Sequence, residues 1–80
     1  ADAIEAEVAA WRENPANEDL DAALEANARD TNDDPNNLYR AGVFAGLAEA
    51  AAWMIYSRGI CPDDINAINA AIYKAYGVAW

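Results

Sequence analysis

An all-α domain of four helices is the architecture this sequence predicts, and three observations point to it. Apolar residues recur at three- and four-residue spacing rather than in strict alternation. The three prolines fall at Asn14-Pro15, Asp34-Pro35 and Cys61-Pro62, positions where helices begin. Proline suits the first helical position, because the N–H it lacks has no partner there, and Asn or Asp before it can cap. Eighty residues, finally, suit one domain spanning 1–80 with a small core. A partner or a second copy would help complete such a core.

The first segment, about Asp2 to Glu13, sets Ile4, Val8 and Trp11 on one face with charges around the rest. The second, about Pro15 to Asp30, offers Leu20 and Leu24 as apolar anchors. Its other face carries Glu18, Asp21 and Glu25 at helical spacing, with Asp19 to one side. Thr31 to Asp34 are expected to connect it to the next helix, with Asp34 as the cap. The fourth segment, Pro62 to Tyr76, aligns Ile65, Ile68, Ile72 and Tyr76 on a core stripe. Asp63 and Asp64 in its first turn suit the helix dipole. Gly77 is placed for a left-handed C-terminal cap, with Val78 closing over the end.

The third segment, about Pro35 to Arg58, is apolar almost all round. Val43, Leu47, Ala51, Met54 and Ile55 cover one arc, expected to face the core; Leu38, Gly42, Gly46, Glu49, Trp53 and Tyr56 cover the opposite one. Three short helices hardly suffice to wrap it. Gly42 and Gly46 would let another backbone approach closely, while Trp53 and Tyr56 supply area. The second arc is therefore a candidate homodimer interface, with tight packing inside one chain as the alternative. Glu49 would pair with an arginine or lie at the rim of that interface. A membrane span is not expected: AGVFAGLAEAAAWMIY has sixteen residues and a central glutamate, against the roughly twenty that a bilayer needs.

Charge divides the chain in two. The acidic half, 1–34, holds eleven acids against Arg12 and Arg29; the neutral, apolar half, 35–80, holds three acids against three cations, so the whole net charge of −9 lies in the first half. Such a field repels phosphate backbones and attracts basic surfaces, which argues against direct nucleic-acid binding. A helix-turn-helix around SRGICPDD meets the same objection, since its second helix would open with two carboxylates.

No catalytic, cofactor or metal site is expected. Histidine is absent, Lys74 is the single lysine, and Cys61 has no base beside it in any recognisable motif. Asp30, Asn32 and Asp34 alternate like calcium ligands, yet the glycine an EF-hand needs at its sixth position is Pro35 and the closing glutamate is Ala41. One cysteine, Cys61, excludes an internal disulfide and suits a reducing cytoplasm, with an intermolecular bridge as the alternative. ADAIEAEV has neither the basic nor the apolar region of a signal peptide.

A binding module remains, and two versions of it compete. In one, the acidic surface of Glu13, Glu18, Asp19, Asp21, Glu25, Asp30, Asp33 and Asp34 engages a basic nucleic-acid-binding protein. In the other, the chain is a helical adaptor or structural subunit that docks through Trp53 and Tyr56, and the acids are a solvated face. A short, acidic, cysteine-poor helical chain with the run ENPANEDLDAALEANARDTNDD resembles small phage-encoded anti-CRISPR inhibitors of the DNA-mimic type. The resemblance lies in overall character, since those proteins share no motif. It implies a stoichiometric inhibitor that keeps a CRISPR surveillance complex from its target DNA, in the cytoplasm of the host cell.

Overall fold

The computed structural model describes residues 3–59 and 65–79. Four α-helices form the fold: α1 (Ala3–Glu13), α2 (Glu18–Asp33), α3 (Leu38–Tyr56) and α4 (Ile65–Tyr76), with a 3₁₀ turn at Pro15–Asn17 leading into α2. The described residues contain no strand. The largest contacts are α2 on α3, α1 on α4 and α3 on α4. The Cys61-Pro62 boundary, Asp63 and Asp64 lie outside the described residues.

Caps set the element ends. Asn14 accepts a hydrogen bond from the Ala16 N–H (3.0 Å), so Asn14-Pro15 does open a helical stretch, through a 3₁₀ turn. Asn17 donates from Nδ2 to the Trp11 carbonyl (2.9 Å), satisfying an acceptor left over at the end of α1. Gly77, at φ +74°, closes α4 as expected. Its N–H reaches the Lys74 carbonyl and the Val78 N–H reaches that of Tyr73, the paired bonds of a Schellman cap.

The α2–α3 junction differs from the expectation. Helix α2 runs through Thr31 and Asn32 to Asp33, and Pro35 sits in a β-turn closed by the Asn37 N–H on the Asp34 carbonyl (3.1 Å). The cap of α3 is Asn37, whose Oδ1 accepts from the Arg40 N–H (3.1 Å). Proline is equally suited to the second position of a β-turn and to the start of a helix, and Asn37 offered the better-placed cap. Thr31 stays helical by donating its hydroxyl to the Asn27 carbonyl (2.7 Å).

The core contains Val8 and Trp11 from α1, Leu24 and Ala28 from α2, Ile68 and Ile72 from α4, and Val78 beyond it. Helix α3 contributes Phe44, Ala48, Ala51, Ala52 and Ile55. Phe44 is completely buried and meets the Tyr73 ring edge-on, with centroids 4.9 Å apart. The buried arc of α3 is thus turned by roughly 70° from the expected one, taking 100° per residue. Ala51 and Ile55 belong to it, Val43 and Leu47 are half-buried at its edge, and Met54 is exposed. The alanines at 48, 51 and 52 allow α3 to lie close against its neighbours.

Candidate interaction surfaces

Arg12 decides which acids are available. Its side chain, on α1, donates from Nε to Asp21 (3.0 Å), from one terminal nitrogen to Glu25 (2.6 Å) and from the other to the Ala75 carbonyl (3.0 Å). The guanidinium also lies over the Tyr76 ring, 4.1 Å from its centroid. The Tyr76 hydroxyl donates to Asp21 (2.5 Å). This cluster joins α1, α2 and the last turn of α4. Burial by itself would lower the Arg12 pKa, but Tyr76, Asp21 and Glu25 hold it above its ordinary value. Tyr76 is pushed well above the ordinary phenol value by burial, by the bond to Asp21 and by that carboxylate's charge.

Arg12 therefore already engages two of the eight acids expected to form one surface, and Asp30 makes a longer contact with Arg40. Asp21 is half-buried, and Glu25 is exposed yet paired. Glu13, Glu18, Asp19, Asp30, Asp33 and Asp34 are exposed. They form two groups rather than a continuous strip. Asp19 and Asp30 lie eleven residues apart on α2, about 16 Å along the axis, with exposed Ala22 and Ala26 between them.

The two groups differ electrically. Glu18 and Asp19 occupy the first turn of α2, where the positive end of the dipole favours them. Asp30 and Asp33 lie in the last turn, and Asp34 caps it. No cation shares that turn. Carboxylates there face unpaired carbonyls at the negative end of the dipole, each at a cost of about 0.3–1 kcal/mol. The compensation is slight, an exposed Arg40–Asp30 pair at 4.0 Å. Among the described residues no group of acids is placed to hold a metal ion.

The second surface is the outward face of α3. Leu38, Gly42, Gly46, Glu49 and Trp53 are exposed, as the expected interface requires, while Tyr56 is half-buried and packs edge-on against Trp53 at 5.4 Å. All the exposed large apolar side chains of the described residues, Leu38, Tyr39, Trp53 and Met54, belong to this helix. A Cβ built on Gly42 or Gly46 meets nothing within 4 Å. Packing inside the chain therefore does not account for these glycines. Tyr39 and Phe44 were the residues that sequence reasoning missed; in a helix apolar all round, periodicity gives little direction. No helix among the described residues is long and apolar enough to cross a membrane.

No protein-family profile, curated protein or solved structure matches the chain.

Proposed function

We propose that the protein is a non-enzymatic inhibitor that presents its acidic half to a basic nucleic-acid-binding protein or complex, of the CRISPR surveillance type, and blocks its DNA binding. The supporting observation is the placement of Asp30, Asp33 and Asp34 at the end of α2, where they oppose the helix dipole without a cation in their turn. Folding gains little from them there, one long and exposed Arg40–Asp30 pair. A lysine- or arginine-lined DNA channel would gain several charge-assisted hydrogen bonds.

The test uses a purified CRISPR surveillance complex with labelled target DNA, titrated with this protein in a mobility-shift assay. Displacement of the DNA, weakening with salt, is the expected result. Changing Asp30, Asp33 and Asp34 together to Asn should raise the inhibitory concentration by about tenfold or more while stabilising the fold by about 1 kcal/mol. A loss of function with a gain of stability rules out misfolding as the cause. Protein and DNA bound together without mutual displacement would overturn the proposal for this class of target.

The outward face of α3 supports a second element of the reading, a homodimer. Two copies would meet where the chain is nearly neutral and where Gly42 and Gly46 leave open space. A helical adaptor would use the same face for a different protein. Light scattering separates the two, because the dimer is expected at high concentration without any partner present.

A further inference from the structure

The exposed residues of α3 are arranged symmetrically along it. Gly46 lies at the centre of the outward face, about 180° round the helix from buried Ile55 at 100° per residue. Leu38 and Met54 stand eight positions before and after it, Tyr39 and Trp53 seven, and Gly42 and Ala50 four. All six are exposed, and the four large ones are the exposed large apolar side chains of the described residues. Each bulky residue on one side of Gly46 thus has a bulky counterpart on the other, and each small one a small one. Neighbours hold the aromatic pair: the Arg40 guanidinium lies 5.9 Å from the Tyr39 ring centroid, and Tyr56 packs edge-on against Trp53.

We propose that two copies of the chain pair through α3 in antiparallel orientation, with the two-fold axis at Gly46. The inference rests on the homodimer reading and deepens it, by giving the interface an orientation and a register. In a two-fold contact, whenever residue i touches residue j of the other copy, j touches i. About Gly46 that rule sets Leu38 on Met54 of the second copy, Tyr39 on Trp53, Gly42 on Ala50 and Gly46 on itself. The pattern matches the same helix running the other way, and a different partner has no need of it. Small residues at 42, 46 and 50 let the two backbones approach, while the bulky side chains meet at the ends. Charge selects the same orientation. The start of α3 follows closely on Asp30, Asp33 and Asp34, so parallel helices would bring those acids of both copies to one end of the pair. Antiparallel pairing holds the two Leu38 positions about 24 Å apart along the axis, well beyond the reach of about 8 Å that screening leaves. It also sets Glu49 opposite Val43 of the second copy, one turn from Arg40 there, so the rim charges are of opposite sign.

The experiment places single cysteines in chains carrying Cys61→Ser, oxidises them with oxidised glutathione and reads the products on a non-reducing gel. Gly46→Cys is expected to cross-link to itself. Gly42→Cys and Ala50→Cys should each stay uncross-linked alone yet join one another when mixed. A disulfide spans Cα atoms at most about 7 Å apart, and in the antiparallel pair like positions at 42 or 50 lie about 12 Å apart along the axis. Circular dichroism of the reduced variants checks the fold, which a side chain at Gly42 or Gly46 should leave intact because the space there is open. Light scattering of the wild-type chain checks the dimer independently. Gly42→Cys joining itself and Ala50→Cys joining itself would show parallel helices and overturn the proposal, with the homodimer standing. A wild-type dimer whose cysteines join in no combination, or equally in all, places the contact elsewhere and overturns it too. A wild-type chain that stays monomeric at high concentration removes both the orientation and the homodimer, and leaves the acidic-inhibitor reading untouched.

Discussion

Replacing Arg12 by alanine should destabilise the fold far more than a surface ion pair warrants. The guanidinium side chain is 27% exposed, and its partners Asp21 and Glu25 are 21% and 51% exposed. The Glu25 contact is therefore worth only about 0.5 kcal/mol, as exposed pairs are. The Asp21 bond is better sheltered and contributes about 1 kcal/mol. The bond to the Ala75 carbonyl and the stacking on Tyr76 add about 0.5–1 kcal/mol each. Together the loss is about 3 kcal/mol, and at about 4–8 °C per kcal/mol for a domain this small, Tm should fall by at least about 12 °C. Urea unfolding followed by circular dichroism measures it. A double-mutant cycle should give a coupling of about 1 kcal/mol for Arg12 with Asp21, roughly twice that for Arg12 with Glu25. Arg12→Lys should recover less than half of the loss, because an ammonium cannot reproduce the fork. A cost of Arg12→Ala below about 0.5 kcal/mol would refute the argument. Asp21 and Glu25 would then be free for a partner after all.

Tyr76 predicts an alkaline limit to stability. Its folded pKa is raised above the unfolded value near 10, so its contribution is complete below about pH 10 and is lost as pH rises toward the folded pKa, with a slope of up to about 1.4 kcal/mol per pH unit. Urea titrations at rising pH should show this slope, and Tyr76→Phe should flatten it. Asn37→Ala should cost about 1 kcal/mol through loss of the α3 cap, whereas Asp34→Ala, which leaves that cap in place, should cost almost nothing in thermal denaturation. Gly46→Ala should stabilise the monomer by about 0.5–1 kcal/mol, since helical glycine is unfavourable and the space is open; Gly46→Leu should shift the light-scattering mass from dimer to monomer if the outward face joins two copies.

Where the sequence was polar on one side, it was legible. The stripes of α1 and α4 came out as their spacing indicates, with Val8, Trp11, Ile68 and Ile72 buried, because polar residues mark the outside, charges on α1 and Asn66, Asn69 and Lys74 on α4. Helix α3 has few such marks, and its buried arc was placed too far round. The outward positions of Gly42, Gly46 and Trp53 survived that error, because the rotation was less than the width of the arc. Local chemistry was ambiguous at Asp34-Pro35-Asn36-Asn37, which encodes a turn and a cap in the same four residues. The Arg12 cluster was not legible at all. It brings together residues as far apart in sequence as Arg12 and Ala75, and no local pattern signals which carboxylate a lone arginine will reach.

Solubility by itself does not explain where the charge sits. A chain that needed acids only to stay dispersed would gain most by placing them on the exposed apolar face of α3, which holds Glu49 among Leu38, Tyr39, Trp53 and Met54. It would gain least by placing them in the last turn of α2, where the dipole opposes each one. The chain does the reverse on both counts. Charge is placed at the end of α2 that it weakens as well as at the end that it favours, and is sparse where exposed apolar surface favours association. Two separate contacts account for both departures at once. A basic partner would neutralise Asp30, Asp33 and Asp34, and an apolar partner or second copy would cover α3. Nor do the two contacts compete for the same charge, because the acids that hold the fold together, Asp21 and Glu25, are the ones that Arg12 has already claimed.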